Sequence, residues 1–400
     1  MKNTETSLQK LDKRAAEAFP MSASSNVTSG EKKDSTIQSI SSPTIHVSPR
    51  DILNEITTLV ARNQKKNMVM LFLMQLFQKT RKDTIGFDDD QIDQKLIYEQ
   101  LQKADISREF LLNLDILFET SEDKLGRGGG GSVKAIRMFG IQKPYAVKRF
   151  RKRKQGESKE RYFEKICNEF RIGRLCCHDN VIQVLDLIEI DQTLYQIMEY
   201  IPYSLHASIV SGKMTTEEIN CCWRQLLQGL QYLHSIGIAH RDIKMDNLVI
   251  DEKGVVKLVD FGCAVPFKIP KKPNVYMSSG VSGSNPYIPP EQFANAYYNP
   301  CQGDIWSSAI VYVTMVTHKF PWTVARPEED LSYARYLREN GKHVFVKALT
   351  DNSKSIILKM LRPDPEKRCT LKDVMKDSWV CSIDTCTRHK QASSHTHNLL

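Results

Sequence analysis

The octapeptide His240-Arg241-Asp242-Ile243-Lys244-Met245-Asp246-Asn247, followed after twelve residues by Asp260-Phe261-Gly262, constrains this 400-residue chain more than any other feature. Within 21 positions it collects a carboxylate fit to act as a base, a cation for an anionic group and two oxygen ligands for a metal. A glycine-rich loop, Leu125-Gly126-Arg127-Gly128-Gly129-Gly130-Gly131-Ser132-Val133, lies upstream. It is followed by an apolar strand end with one lysine, Ala146-Val147-Lys148. Downstream stands Pro289-Pro290-Glu291. Ordered agreement of so many blocks does not arise by chance.

The length suits one large two-lobed domain with extensions, and 41% hydrophobic residues supply ample core. The formal charge of +9 would suit nucleic acid or a membrane surface. No aromatic-basic reader module accompanies it, so no nucleic-acid partner is expected. Cys176-Cys177 and Cys221-Cys222 fall in segments that read as helix or helix end, which suits reduced, buried thiols. With no secretory signal at the start, a reducing compartment is expected: the cytoplasm, with the nucleus open to the same reading. Cys381, Cys386 and His389 lack the paired short spacing of a zinc site, and none is expected there.

Residues 1–50 hold fifteen Ser or Thr and almost no periodic apolar pattern, the composition of a disordered tail. Ser42-Pro43 and Ser48-Pro49 within it fit proline-directed phosphorylation. Residues 51–118 read as a helical extension, with Ile52, Leu53, Ile56, Leu59 and Val60 at helical spacing and a second helical stretch over 92–118. The apolar run 68–77 is too short for a transmembrane segment, which takes about 20 residues. Its flanking Lys65, Lys66, Lys79, Arg81 and Lys82 allow peripheral membrane or partner contact, although packing on the protein's own fold is the favoured expectation.

From residue 122 short strands dominate, including a pair over 181–190 and 193–198 around Asp191-Gln192. Thr215 with Glu218 then predicts a capping box. Ile219, Trp223, Leu226, Leu227, Leu230 and Leu233 follow on one helical face. The class is therefore α+β, a strand-rich part followed by a helical one.

On these blocks the chain resembles the eukaryotic protein kinase family over roughly 120–380, and in its serine/threonine form, because Lys244 stands two positions after Asp242. The resemblance implies a two-lobed fold, with a small lobe at 120–198, a hinge at 199–203 and a large lobe at 204–380, and it leaves 381–400 as a second disordered tail. It implies ATP and Mg2+ as cofactors and protein Ser/Thr hydroxyls as substrates. Leu125, Gly126, Gly128 and Gly131 would cover the phosphates, with glycine admitting the backbone close to them. Lys148 would bind the phosphates and pair with Glu169, chosen over Glu160 and Glu164 because it lies nine residues before His178. Val133 and Ala146 would roof the adenine and Val249 floor it. Glu199-Tyr200-Ile201 would be the hinge and Met198 the gate. Asp242 would be the base, Lys244 would neutralise the transferred phosphate, and Asn247 and Asp260 would hold the metal.

The same resemblance makes the segment from Asp260 to Glu291 an activation segment. Ser278, Ser279 and Ser282 are then candidates for an upstream activating kinase, and Arg241 the cation that would receive the phosphate. Ser284 would stand against Lys244 and Asp242, and Glu291 would pair with Arg368. Asp304 is kept as an anchor, while Ala309 replaces a common glycine. Gly283-Ser284-Asn285-Pro286-Tyr287 and Phe320-Pro321-Trp322 resemble the fungal halotolerance and nitrogen-permease-reactivator group. Two other classes are open to such a chain, a catalytically silent scaffold and a small-molecule kinase. Intact Lys148, Asp242, Asn247 and Asp260 disfavour the first, and the Pro-Glu closure with the Ser284 region disfavours the second.

Overall fold

A computed structural model describes residues 124–128, 130–137, 144–190, 193–269, 274–339 and 343–399. The readings of 1–50 and 51–118 lie outside the described residues.

Alternation builds the first layer. In β3 (Pro144–Phe150), Ala146, Lys148 and Phe150 turn to one face and Val147 to the other, the period of an extended chain. This strand sits at the centre of a five-stranded antiparallel sheet in the order β1-β2-β3-β5-β4. Its partners are β1 (Lys124–Gly128), β2 (Gly131–Arg137), β4 (Val184–Ile190) and β5 (Thr193–Glu199). The first strand of the expected 181–190 pair thus begins at Val184. Val181 instead makes an isolated parallel bridge to Leu258. Ile136, Val147, Ile188 and Ile197 fill one face of the sheet. On the other face, Phe150, Leu187 and Leu194 receive Tyr162 and Ile166 of helix α1 (Lys159–Leu175), which Ser158 caps.

The second layer is helical. Between it and the sheet come β6 (Tyr203–Ser204) and the short α2 (Leu205–Val210). Helix α3 (Thr216–Ser235) starts at the predicted capping box: Thr215 Oγ1 accepts from the Glu218 amide at 3.3 Å, and the Glu218 carboxylate accepts from the Thr215 amide at 2.6 Å. Its predicted stripe is buried throughout. After β7 (Ile238–Ala239) the chain forms the hairpin of β8 (Leu248–Ile250) and β9 (Val256–Leu258), then β10 (Val265–Pro266), which pairs with β7. Helix α4 (Glu291–Ala294) precedes α5 (Pro300–Thr317), which is apolar around most of its circumference and so lies in the core. Trp223 Nε1 donates to the Ser308 carbonyl at 2.9 Å and joins α3 to α5. Four helices close the layer: α6 (Leu331–Arg338), α7 (Asp351–Met360), α8 (Leu371–Lys376) and α9 (Ser378–Ser382). The α+β, two-lobed expectation is met. Among the described residues no helix is long and apolar enough to cross a membrane.

Two expectations need correction. Residues 381–399 are not a disordered tail: they pack on α3, with Cys386 and Ala392 buried beside Cys221. Asp384 holds the segment's return by accepting from Ser393 N at 2.7 Å and Ser393 Oγ at 2.9 Å. The anchors are single small residues without period, so no apolar pattern announces them. Cys177, read as buried, is exposed, because α1 ends at Leu175 and the following turn carries the thiol outward.

Candidate active site

The site forms where β3, α1 and the β8–β9 hairpin meet. Pairing of Leu248 with Leu258 brings together the two ends of that hairpin, and with them Asn247 and Asp260. A bond from Val259 N to Asn247 O at 3.0 Å closes the pair. Lys148 reaches this point from the sheet. Its Nζ lies 2.5 Å from Glu169 Oε1 and 2.9 Å from Asp260 Oδ1. The choice of Glu169 over Glu160 and Glu164 is thereby settled. Burial acts to lower the Lys148 pKa, but Glu169 and Asp260 outweigh it, so the ammonium stays charged above its ordinary range. Burial likewise acts to raise the Asp260 carboxyl, and Lys148 with the Gly262 amide reverses that, holding it below the usual carboxylate value.

A second cluster lies in the loop after β7. Lys244 Nζ stands 2.8 Å from Asp242 Oδ2 and 3.0 Å from Ser284 Oγ, and Ser284 Oγ donates to Asp242 Oδ1 at 3.2 Å. Asn247 Nδ2 donates to the Asp242 carbonyl at 2.8 Å and to its Oδ2 at 3.2 Å. Burial would lower the Lys244 ammonium, but the adjacent Asp242 carboxylate raises it overall.

The remaining predicted residues surround these two clusters. Leu125, Gly126 and Gly128 lie on β1, and Gly131 and Val133 on β2, with Val133 paired to Lys148. At Gly131 (φ +152°) a Cβ would fall 2.0 Å from the Arg149 carbonyl, so the hairpin itself demands glycine there. A Cβ at Gly126 would meet nothing within 4 Å, so the fold alone does not demand that glycine. Ala146 pairs with Met198, and both join one apolar cluster against which Val133 and Ile201 pack. Val249 lies half-buried on β8. The Glu199 carboxylate is committed to Gln183 N at 2.8 Å and Lys257 Nζ at 2.9 Å.

Some features of the site carry no sequence signal. Arg241 (φ 64°) and Asp260 (φ 66°) both occupy the left-handed region, which costs a non-glycine residue about 1 kcal/mol or more. Asp304 holds the first of them. Its Oδ1 accepts from the Arg241 amide at 2.8 Å and its Oδ2 from the His240 amide at 2.9 Å. The sequence marked Asp304 only as an anchor. Tyr298 accepts from Arg241 NH2 at 2.7 Å and donates to the Gly280 carbonyl at 2.9 Å, a role no motif signals. Downstream, Arg368 meets Glu291 through NH1–Oε1 at 2.7 Å and NH2–Oε2 at 2.9 Å, so the expected pair forms.

A strand-rich lobe thus presents a buried lysine to a carboxylate hairpin, above a helical lobe that carries an aspartate–lysine–serine cluster. The chain belongs to the protein kinase domain family, whose sequence profile matches residues 119–380. Among curated relatives, the nitrogen permease reactivator protein of Saccharomyces cerevisiae is 37% identical over 305 residues, 66% of this chain and 39% of that protein. Serine/threonine-protein kinase oca2 of Schizosaccharomyces pombe is 35% identical over 331 residues, 69% of this chain and 51% of the relative. Serine/threonine-protein kinase hal4 of the same yeast is 34% identical over 279 residues, 66% and 43% of the two chains. The fungal group expected from the Ser284 region is thus the one matched. The chain spans about half, or less, of the length of these relatives.

Proposed function

We propose that this chain is a serine/threonine protein kinase that transfers the γ-phosphoryl group of ATP to hydroxyls of protein substrates. The observation that carries the reading is Lys244 Nζ standing between Asp242 Oδ2 at 2.8 Å and Ser284 Oγ at 3.0 Å. In this reading the three groups are a base, a cation and an orienting hydroxyl. Asp242 accepts the proton of the incoming hydroxyl, held for it by Ser284 and Asn247. Lys244 balances charge on the group in transit. Lys148, kept charged by Glu169, receives the phosphates beneath the β1–β2 loop. The Asn247 amide and the ionised Asp260 carboxylate are hard oxygen donors and fit Mg2+, which when bound neutralises phosphate charge. Such a reaction passes through a loose transition state, so positioning and electrostatics carry most of the catalysis.

Control by an upstream kinase is part of the same proposal. Ser279 is exposed. Ser282 lines a cavity of about 380 Å3 whose walls carry three cations, Arg241, Arg161 and Lys165, and two carboxylates, Glu164 and Glu169; the cations are the partners a phosphate there would take.

The test is Asp242→Asn. Phosphate incorporation into protein should fall by roughly 10²–10⁴-fold, because a general base is removed. ATP affinity should stay close to that of the parent, because no phosphate ligand is lost. Undiminished incorporation by the variant would overturn the reading.

A further inference from the structure

We propose that Cys221, Cys386, His395 and His397 form a tetrahedral site for a zinc-class transition metal, which fastens the C-terminal segment to the back of the large lobe. Their four ligand atoms all lie within 4.8 Å of one another. Cys221 comes from α3, and the other three from the segment after α9. The Cys221 Sγ to His397 Nε2 distance is 3.6 Å, and Cys386 Sγ to His395 Nε2 is 3.9 Å. An ion with bonds of about 2.3 Å to sulfur and about 2.0–2.1 Å to nitrogen has tetrahedral edges of about 3.3–3.8 Å. The two measured edges already lie at or near that range.

The surroundings are those of a ligand set rather than of four residues that happen to be close. Each sulfur accepts a backbone N–H at 3.3 Å, Cys221 from Cys386 and Cys386 from Ala392. Gln225 Nε2 adds a second donor to Cys221 at 3.3 Å. Such N–H donors are the partners that a metal-bound sulfur takes from its surroundings. Each imidazole turns Nε2 inward and engages Nδ1 outside, His395 with Ser394 Oγ at 2.9 Å and His397 with Cys222 Sγ at 3.9 Å. That division of labour fixes ring orientation at metal sites. Both sulfurs are buried, while the imidazoles are partly exposed and give an ion a way in.

The backbone makes room for one of the rings. Gly254 (φ +78°) would carry a Cβ 2.1 Å from His397 Cδ2, so glycine admits the imidazole. The segment is also tied down independently of any metal. Asn398 N donates to Glu218 Oε1, and Arg388 Nε lies 3.1 Å from Asp179 Oδ1. Two thiolates and two imidazoles select zinc over magnesium or calcium, which take oxygen ligands. The short-spacing rule missed this site because Cys221 stands 165 residues before Cys386.

The experiment is elemental analysis of the full chain, purified in magnesium-free buffer after expression with added zinc, beside the double variant His395→Gln, His397→Gln. Those two positions lie near the chain end and outside the main core, so the variant should fold. The parent should carry about one zinc per chain and the variant less than about a tenth of that, as expected when two of four ligands are lost. Cobalt exchanged into the parent should give sulfur-to-metal charge-transfer absorption and the visible bands of a tetrahedral ion, both missing from the variant. Chelation by 1,10-phenanthroline should lower the thermal midpoint of the parent and leave the variant unchanged. Three results would each overturn the proposal: a parent that takes up neither metal, a variant that keeps its zinc, or a Cys221–Cys386 disulfide in the purified parent.

Discussion

Two buried ion pairs, Lys148–Glu169 in the cleft and Arg368–Glu291 in the large lobe, look alike by exposure, at 7% and 5% of side-chain surface against 0% and 1%. Their donors are spent differently. The guanidinium of Arg368 has five N–H donors and meets five acceptors: both Glu291 oxygens and the carbonyls of Gln302, Arg362 and Pro363. It also lies over the Trp306 ring at 5.0 Å. Nothing about it is left for a ligand. The ammonium of Lys148 has three donors and, among the described residues, meets two carboxylate oxygens, one on Glu169 and one on Asp260, with the Phe150 ring centroid 5.3 Å away. Its second partner belongs to the candidate metal site, so under the proposed function the contact would be exchanged on nucleotide binding. A saturated planar fork holds the fold together, whereas an ammonium with a donor to spare is a site.

The sharpest way to break this comparison is Arg368→Ala. It leaves the Glu291 carboxylate buried without its partner and strips three carbonyls of their donor. A loss of about 3–5 kcal/mol is expected, read as a drop in the urea midpoint. Loss of activity should track loss of fold. An unchanged midpoint would show that the pair is not structural.

Lys148→Met should divide the two properties. Transfer should fall by roughly 10²–10³-fold, the order seen when one charge-stabilising donor is removed. The urea midpoint should move much less than in Arg368→Ala, because Glu169 can take up a proton once its partner has gone. Equal destabilisation by the two variants would erase the distinction drawn above.

The smallest effect is expected at Ser284→Ala. Its hydroxyl links Lys244 to Asp242 through bonds of 3.0 Å and 3.2 Å. Losing a hydroxyl bonded to two charged groups, where such bonds are worth about 1.5–3 kcal/mol, should lower kcat by roughly ten- to a hundredfold with little change in stability. A larger loss, comparable with that of Asp242→Asn, would make Ser284 a participant in proton transfer rather than a positioning residue.

Much of the cleft was legible because its chemistry is local. Asp242, Lys244, Asn247 and Asp260 fall within 21 positions, and the β8–β9 hairpin brings the last two together. Glu169 could be chosen among three glutamates because the family resemblance sets its distance before His178. Even Glu291 and Arg368, 77 residues apart, could be paired, since each stands in its own recognisable block. The left-handed backbone at Arg241 and Asp260 was not legible. Neither residue is glycine, and the restraint on the first comes from Asp304, 63 positions away.

The sequence by itself determined the fold class, the capping of α3 and the apolar faces of β3 and α3. All of these depend on side chains whose spacing matches a local backbone period. Only the tertiary structure decided which distant groups touch. It made Asp304 the clamp on Arg241, left Gly126 without a steric demand of its own, and folded a segment without periodicity onto α3. It also set Cys221 beside Cys386, His395 and His397. Contacts of that kind carry no period and little local preference, and they form because the two-layer core has already brought their backbones within reach.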